Sequence, residues 1–387
     1  MDISDLGGDA VKGNILAINT GSTTTKIGYF IDGRLAFEQK LEHSAEDISK
    51  FNYVMDQEPM RRKAILDFLK AKGIALTDID LVMARGGLFT PVITGVYEVN
   101  EDMKETLISG RDGVHACNLS ATIADAVVKA VNAEHTAKGD SPRYGICRAY
   151  VADPPMADEM LPECRICGLP EFRRITLFHA LNSRAIVRRY LREHPGCGAD
   201  FTAIVAHMGG GVTVSCHRGG TVIDTTNGVG GDGPMTPERA GTCPPNQLVE
   251  MCFSGLYTKD QIMKKLVGKG GAVAYFGTND MRTIEEKAIA GEHDYVMFTE
   301  AFCLNIAKAI AAESATVSGK VDAVILTGGI AYSKFITEKI AARVRHIAPV
   351  TIYPGEDELS SLAENGYLVL AGKAKIHTYA KDRIIED

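Results

Sequence analysis

The sequence has no excess of positive charge: its 387 residues include 42 Lys and Arg against 49 Asp and Glu, a formal net charge of −7. Proteins that bind nucleic acids or anionic membranes need a clustered positive field, so this balance argues against both kinds of partner. The sequence also lacks an apolar run of the roughly 18 to 20 residues that a membrane-spanning helix needs. Its acidic N-terminal segment has no hydrophobic stretch typical of a signal peptide, and we expect a loose extension there. These features predict a cytoplasmic protein that acts on small molecules.

A disulfide framework is not indicated either. The nine cysteines are an odd number scattered along the chain, which is more typical of reduced thiols. One close pair stands out, Cys164 and Cys167 in the stretch PECRICG. Its spacing is consistent with two surface cysteines that are neighbours by chance, or with half of a zinc site completed by Cys147 or Cys197. We assign no metal to the pair.

The chain is longer than a usual single hydrophobic core, and its 45% hydrophobic and 24% charged residues are typical of a globular protein. Two domains are therefore expected, and two passages share one plan. In the first, strands are predicted at 15–20, 25–31 and 35–38, with an Asp-Gly hairpin turn before the last strand. In the second, an apolar run ends at His207, a glycine turn follows, and two further strands run through 216 and over 222–224.

The likeness continues downstream of both passages. The stretches LVMARGGL (81–88) and AVILTGGI (323–330) each read as a buried strand that ends in Gly-Gly, and strands predicted at 148–152 and 350–353 extend the parallel. Helical periodicity covers six segments: 59–72, 118–133, 181–193, 294–317, 333–345 and 358–372. Each half therefore reads strand, strand, strand, helix, strand, helix, strand, helix.

This repeated order predicts an α/β protein of two similar domains, each a mixed sheet with flanking helices, around a nucleotide cleft. The chain resembles the actin-like ATPases, whose duplicated domains are ribonuclease H-like. We place an N-terminal domain at 14–192 and a C-terminal domain at 193–387. The last helix, about 358–372, is expected to pack back on the N-terminal domain.

The turn between the first two strands has the composition of a phosphate site. Glycine lets the backbone approach a ligand closely, and successive backbone N–H groups can converge on an anion. Ser22 and Thr24 add hydroxyl donors, and Lys26 adds a compact positive charge suited to phosphate oxygens. The alternative is a turn rich in Ser and Thr that only joins two strands.

Two further glycine sites lie in the second half. His207 precedes a turn of bare backbone at Gly209, Gly210 and Gly211, which suits the β-phosphate of a nucleotide. The segment Gly328-Gly329-Ile330 ends a predicted strand before a helix, where open α/β sheets bind ligands, and here we expect adenosine. Neither a Walker A sequence nor a convincing dinucleotide fingerprint is present. The three glycine sites together predict ATP or ADP as the cofactor.

Charged residues lie between the glycine turns. Transfer of a dianionic phosphoryl group needs positive donors around its equatorial oxygens, and arginines and histidines at the ends of elements supply them. For each residue taken alone, a purely structural role is the alternative. The candidate catalytic residues are Arg85, His115, Asp153, His179 and Arg239.

Over residues 14–372 the chain resembles the butyrate kinases, within the acetate kinase branch of the actin-like superfamily. The resemblance is carried by INTGSTTTK, MARGGL, DGVHACNL, YVADPP, FHALN, VAHMGGG, GGDGPMTPERAG, CFSG, VGKGGAVAYFGTND and VILTGGIA. It implies reversible, magnesium-dependent phosphoryl transfer between ATP and butyrate or a related short-chain carboxylate, which gives an acyl phosphate and ADP. It also implies a homo-oligomer whose metabolic neighbour is a phosphate acyltransferase.

The resemblance assigns roles by position. His115 would lie near the acyl substrate, His179 would contact the phosphoryl group in transfer, and Arg239 would be catalytic. Asp153 would be catalytic or linked to magnesium, and Arg85 would serve as the substrate arginine, which the acetate kinases carry three residues earlier. The remaining matches are Asn19, Ser22, Thr24 and Lys26 in the first phosphate motif, His207, Gly209, Gly210 and Gly211 in the second, Gly328, Gly329 and Ile330 for adenosine, and Glu358 with Asn19 for magnesium. Glu358 is chosen over its neighbours Glu356 and Asp357.

Two other classes of protein share parts of this pattern. ATP-driven activators that pass an electron to a dehydratase through an iron–sulfur cluster also carry a GSTTTK turn and a TGG motif, and a symmetric dimer would supply four thiolates from two Cys-x-x-Cys pairs. Such an activator would have no use for the histidines and arginines above. A chaperone or filament ATPase is the other alternative, but the stretch after the TGG motif is too short for a separate peptide-binding domain.

Overall fold

The computed structural model describes residues 11–380, so most of the predicted N-terminal extension lies outside the described residues. The chain divides into two compact units. The first unit consists of the described parts of Met1–Ala157 and Asp357–Asp387, and the second unit is Asp158–Glu356.

Both units contain strands and helices. The strands are β1 (Asn14–Thr20), β2 (Thr24–Ile31), β3 (Arg34–Glu42), β4 (Leu81–Arg85), β5 (Val96–Glu98), β6 (Arg148–Ala152), β7 (Thr202–Met208), β8 (Val212–Arg218), β9 (Thr221–Thr225), β10 (Ala323–Gly328), β11 (Val350–Pro354) and β12 (Ile376–His377). The helices are α1 (Ala45–Ser49), α2 (Glu58–Ala71), α3 (Glu101–Ser109), α4 (Leu119–Lys138), α5 (Ala180–Glu193), α6 (Pro245–Phe253), α7 (Lys259–Leu266), α8 (Gly271–Phe276), α9 (Met281–Ile289), α10 (His293–Thr316), α11 (Lys334–Val344) and α12 (Glu358–Leu370).

The first unit is built on a seven-stranded sheet in the order β12-β5-β6-β4-β1-β2-β3. Strands β1, β2 and β3 form the predicted antiparallel meander, and β4 and β6 continue the sheet in parallel with β1. Alternate residues of β1 face opposite sides. Leu16 and Ile18 lie in the core that α4 covers, whereas Ile15 faces Gly366 of α12.

The second unit is built on a five-stranded sheet in the order β11-β10-β7-β8-β9. Its meander is β7-β8-β9, and β10 and β11 again continue in parallel. Counted from β3 and from β9, the two sheets have the same strand order. The three strands of the meander come first, and the two parallel strands follow them. The duplicated α/β fold predicted from the sequence is therefore confirmed.

The compact units differ from the predicted domains at their boundaries. The boundary between units falls after Ala157, whereas the sequence analysis placed it at 192/193. Helix α5 lies in the second unit because Val187 and Tyr190 pack against Phe201 and alternate residues of β7. Helix α12 lies in the first unit, packed against β1, β2 and β4.

Helix α10 is long and apolar enough to cross a membrane by length and composition alone, although the sequence predicted no such stretch. Its most apolar stretch of 18 residues has a mean hydropathy of 1.3. Phe298, Phe302, Ile306 and Ile310 recur at helical spacing on one face and lie buried in the core over β7 and β8. One face of α10 is thus buried against the sheet, as in an amphipathic helix of a globular protein.

Candidate active site

The first glycine turn, residues 21–25, joins β1 to β2. The Gly21 N–H donates to the carbonyl of Thr24 at 2.8 Å, which closes the turn. Ser22, Thr23 and Lys26 are exposed, and Thr24 is half-buried. The hydroxyl groups and the ammonium group predicted to meet phosphate thus lie at the surface of the first unit.

An arginine that the sequence analysis missed supports this turn from the core. Arg61 of α2 is fully buried, and its guanidinium donates to the carbonyls of Gly21, Ser22 and Thr24 at 2.7, 2.8 and 2.9 Å. The feature of the sequence that could have identified Arg61 is its position on the helix. Arg61, Ile65 and Leu69 recur four residues apart on the buried face. A cation at a core position of an amphipathic helix calls for a specific partner.

Three predicted site residues meet at the carboxyl end of β1. The Asn19 side-chain amide donates to Glu358, the first residue of α12. Arg85, the last residue of β4, forms an ion pair with the same carboxylate at 3.2 Å. Because β1 and β4 are parallel neighbours, their carboxyl ends lie side by side, and α12 begins above them. The structure thus brings Asn19, Arg85 and Glu358 together.

Of the three adjacent acidic residues considered for magnesium, Glu358 accepts a hydrogen bond from Asn19. Asp357 instead caps α12, since its side chain accepts from the Ser360 N–H at 3.0 Å. Glu356 belongs to the second unit, where its carboxylate lies 3.6 Å from the His207 ring.

The pair Asn19 and Glu358 fits a magnesium ion by its donor chemistry. The side-chain oxygen of Asn19 is buried and has no hydrogen-bond partner, and the Glu358 carboxylate lies next to the same amide. Mg²⁺ prefers oxygen ligands, and in phosphate-transferring sites it is held by one or two carboxylates together with water and phosphate. Within residues 11–380 no group of three or more His, Cys, Asp or Glu side chains is arranged to hold a metal. The protein would therefore supply only a few of the ligands of a magnesium ion at Asn19 and Glu358.

His115 lies close to this group. Its neighbour Ala116 accepts a hydrogen bond at 2.6 Å from the hydroxyl of Thr20, the last residue of β1. The Nδ1 atom of His115 accepts from the backbone N–H of Cys117 at 3.2 Å. In the neutral imidazole the proton is then on Nε2, so the ring presents a donor at its outer end.

Cys117 is a second residue that the sequence analysis did not single out. Its thiol is buried and lies 3.1 Å from His115 Nδ1. Burial raises the pKa of the Cys117 thiol to about 11, and Arg85 and Glu358 are close enough to influence it. The thiol is therefore neutral at physiological pH and forms part of the wall beside His115 and Arg85.

Asp153 follows β6 in the strained left-handed region, with φ of 41°. It is buried, and one carboxylate oxygen accepts from the Gly95 N–H at 2.9 Å. The Asp153 N–H donates in turn to the Gly95 carbonyl at 2.8 Å. This reciprocal pairing fixes the end of β6. Strain of this kind in a non-glycine residue is often retained at functional sites.

The second glycine turn, residues 209–211, joins β7 to β8 in the second unit. It closes on itself through the Gly209 N–H and the Gly211 carbonyl at 2.9 Å. Arg239 lies against it, so close that a Cβ added at Gly211 would be 2.6 Å from the Arg239 Nη1 atom. At Gly210 an added Cβ would meet nothing within 4 Å. The structure thus brings Arg239 together with the predicted β-phosphate turn.

A loop that the sequence analysis missed holds Arg239 in place. Nη1 of Arg239 donates to the carbonyl of Gly228, and the Gly228 N–H donates to the Leu177 carbonyl at 2.7 Å. Asn227 anchors this loop, because its amide donates to the Ile175 carbonyl at 2.9 Å and its oxygen accepts from the Val229 N–H at 2.9 Å. Burial lowers the pKa of the Arg239 guanidinium from its usual range.

Two predicted histidines are stacked in the second unit. The rings of His179 and His207 are 4.1 Å apart and inclined by 23°. Nδ1 of His179 lies 2.8 Å from the Thr213 hydroxyl, whereas the buried Nδ1 of His207 has no hydrogen-bond partner. His207 is almost fully buried, so the stack places His179 on a rigid support at the end of β7.

The two glycines predicted to admit adenosine play different parts. Gly328 has φ of 92°, and an added Cβ would lie 2.3 Å from the Met208 carbonyl oxygen. Gly328 is therefore required for close packing of β10 against β7. At Gly329 an added Cβ would meet nothing within 4 Å, so this position leaves open space beside the half-buried Ile330.

Cys164 and Cys167 are half-buried free thiols in the second unit. Cys164 hydrogen-bonds to Asp224, and burial raises the pKa of the Cys164 thiol to about 12. A thiol with this pKa is a poor nucleophile at neutral pH.

Comparison with known proteins adds a family and a fold. A model of the acetokinase family matches residues 174–362. Butyrate kinase 2 of Clostridium acetobutylicum is 42% identical over 369 residues, which cover 95% of this chain and 100% of that protein. Butyrate kinase 1 of the same organism is 43% identical over 365 residues, which cover 94% and 99%.

Among solved structures, the crystal structure of Porphyromonas gingivalis acetate kinase aligns with a TM-score of 0.73 at 17% identity, covering 93% of this chain and 100% of that chain. At this identity the likeness establishes the fold, and it agrees with the duplicated α/β arrangement derived from the two sheets.

Proposed function

Because the chain belongs to the acetokinase family, we propose that it is a carboxylate kinase, which transfers a phosphoryl group reversibly between ATP and butyrate or a related short-chain acid. The products are the acyl phosphate and ADP. The observation that carries the proposal is the identity of 42% with a butyrate kinase along 95% of the chain. The two glycine turns and the polar residues beside each of them support it.

The chemistry needs no general base, since a carboxylate is already an anion at neutral pH. The difficulty is bringing that anion against a negatively charged γ-phosphate. Positive and N–H donors that are already in place lower this barrier most effectively, because they need no reorganisation during the reaction. Arg239 and His179 in the second unit, and Lys26 and Arg85 in the first, would supply these donors.

The acyl substrate is assigned to the residues around Arg85 and His115. Arg85 would pair with the carboxylate of the substrate, and its ion pair with Glu358 holds the guanidinium in place until then. The Nε2–H of His115 would donate to the acyl phosphate or its precursor. Asp153 would act through the backbone of this region, because one of its oxygens is bound to the Gly95 N–H.

The nucleotide is assigned to the glycine segments. Ser22, Thr24 and Lys26 would contact the terminal phosphate, and residues 209–211 with His207 the β-phosphate side. Gly329 and Ile330 would border the adenosine, with Gly328 as their structural support. Asn19 and Glu358 would hold Mg²⁺, which neutralises charge on the β- and γ-phosphates when bound.

We expect a cytoplasmic homo-oligomer whose product is exchanged by a phosphate acyltransferase. The iron–sulfur activator finds no support, because the relatives are kinases by name.

Hydroxamate formation tests the function. The purified protein is incubated with Mg-ATP, hydroxylamine and straight or branched acids of about two to six carbons. Because one methylene changes binding by only ~1–3 kcal/mol, a whole series of acids is needed to show which chain length is preferred. We expect hydroxamate with butyrate or its close neighbours. Absence of product across the whole series, with ATP still hydrolysed, would overturn the carboxylate kinase.

A further inference from the structure

The strongest feature outside the assigned residues is the buried guanidinium of Arg61. Its side chain is fully buried and makes six hydrogen bonds. They run to the carbonyls of Gly21, Ser22 and Thr24, to the Thr25 hydroxyl, and twice to the side-chain oxygen of Gln57. None of these acceptors is a carboxylate.

The position is an unfavourable one for a cation. Arg61 lies in the first turn of α2, where the helix dipole disfavours positive charge. The acidic residue of that turn, Glu58, pairs with Arg62 at 3.2 Å instead. A buried charge without an opposite charge is costly. Accordingly, burial lowers the pKa of Arg61 to about 10.

The hydrogen bonds of Arg61 determine which way the backbone of the first glycine turn faces. In a trans peptide the carbonyl of one residue and the N–H of the next point in opposite directions. Because the carbonyls of Gly21 and Ser22 point toward Arg61, the N–H groups of Ser22 and Thr23 point away from it. Successive N–H groups that face the same way form a concave site for anions.

We propose that Arg61 is a positioning residue for the first glycine turn: it holds the turn in its anion-binding form, and the nucleotide phosphate is the counter-charge for its buried guanidinium. This inference rests on the proposed function, since it takes the ligand of the turn to be a phosphate group. Arg61 contacts the turn from inside the unit and does not touch the substrate.

Two substitutions separate charge from geometry. Arg61→Met keeps much of the volume and removes both the charge and the hydrogen bonds, whereas Arg61→Lys keeps the charge and loses the planar fork that gathers several carbonyls. Arg165→Lys is the matched control, because Arg165 is also buried but forms an ion pair with Asp158 in the second unit. For each variant, the dissociation constant of a nonhydrolysable Mg-ATP analogue is measured by calorimetry, together with the KM for ATP, the KM for butyrate and the melting temperature.

We expect Arg61→Met to weaken binding of the nonhydrolysable Mg-ATP analogue and to raise the KM for ATP by roughly tenfold or more, the effect of losing charged hydrogen bonds. The KM for butyrate should change by less than about twofold, since uniform loss of nucleotide binding leaves the other substrate alone. Arg61→Lys should fall between this variant and the parent. Arg165→Lys should lower the melting temperature and leave nucleotide binding unchanged.

A folded Arg61→Met protein that binds the nonhydrolysable Mg-ATP analogue as the parent does would overturn the inference. If that variant fails to fold, the Arg61→Lys variant is the test. Nucleotide binding by Arg61→Lys equal to that of the parent would also overturn the inference. The calorimetry needs no carboxylate, so failure of the proposed function, a parent that binds the nonhydrolysable Mg-ATP analogue but forms no hydroxamate, is distinguishable from failure of the Arg61 assignment.

Discussion

The two glycine turns occupy equivalent places in the duplicated fold, but they are supported in different ways. The first turn, rich in Ser and Thr, is held from the core by Arg61. The second turn closes through its own backbone and is held by a neutral donor, the hydroxyl of buried Thr236, which donates to the Gly210 carbonyl at 3.1 Å, with Arg239 packed against Gly211. In the first unit the arginine is buried behind the turn, whereas in the second it lies beside the turn and is held by the Gly228 carbonyl.

This difference indicates a division of labour on one scaffold. A turn fixed by a buried arginine presents oriented N–H groups and hydroxyls, which suits binding. A bare glycine turn lets a second arginine approach closely, which suits stabilisation of charge in the transition state. Duplication therefore supplied one backbone plan, and the placement of a single arginine distinguishes its two uses.

Removal of Arg239 should have the largest effect. Arg239→Ala is expected to lower kcat by a factor on the order of 10² to 10³, the usual consequence of losing one preorganised charged donor. The measurement is steady-state hydroxamate formation, with circular dichroism to show that the variant is folded. Activity close to that of the parent would remove Arg239 from the catalytic group.

A methyl group at Gly211 should perturb Arg239 without removing it. Gly211→Ala places a Cβ 2.6 Å from the Arg239 Nη1 atom, so the guanidinium must move. We expect kcat to fall by about 10- to 100-fold, because small displacements of a catalytic group are costly. Gly210→Ala is the control, since its Cβ would meet no atom within 4 Å. Equal kinetics in the two variants would show that the packing of Arg239 against this turn is unimportant.

At the first turn the expected effect is on nucleotide binding. Lys26→Ala should raise the KM for ATP by roughly tenfold, since an ammonium group near phosphate contributes to binding as a point charge. Lys40→Ala is the control on the neighbouring strand β3, where Lys40 forms an exposed ion pair with Glu42. A change in kcat alone, with ATP binding unaltered, would contradict the contrast between the two turns.

The smallest effect concerns stability and is confined to the second unit. Glu313 of α10 is buried, and desolvation followed by the nearby charge of Asp224 raises its pKa well above 4.5. The folded state thus holds a proton that the unfolded state releases, so the stability contribution is complete below about pH 4.5 and is lost as pH rises through the folded pKa. Glu313→Gln has no proton to lose, and its melting temperature relative to the parent should increase with pH. A difference independent of pH would refute a protonated Glu313.

Much of the fold could be predicted because its elements are long and strongly patterned. The meanders carry alternating or continuous apolar runs bounded by glycine turns, and α2, α4, α5, α10, α11 and α12 show helical periodicity. The sequence analysis did not place β5 and β12, which are only three and two residues long. The positions of α5 and α12 in the two units depend on tertiary packing, which local pattern does not encode.

The candidate site was predictable where a residue follows a strand. Asn19 and Arg85 end parallel neighbours, so their proximity follows from topology. Which of Glu356, Asp357 and Glu358 lies beside Asn19 depends on the exact residue at which α12 begins. A shift of the helix start by one residue would change the answer. Arg61 was missed because it holds the turn through the backbone carbonyls of Gly21, Ser22 and Thr24, and no motif records such a partner.

The most direct test of the account is the reverse reaction. Butanoyl phosphate and Mg-ADP are supplied to the parent protein, and ATP formation is followed by luminescence, with Arg239→Ala in parallel. The account predicts rapid ATP formation by the parent and a severe loss in the variant. Release of inorganic phosphate without ATP from the parent would contradict phosphoryl transfer as the function of this protein.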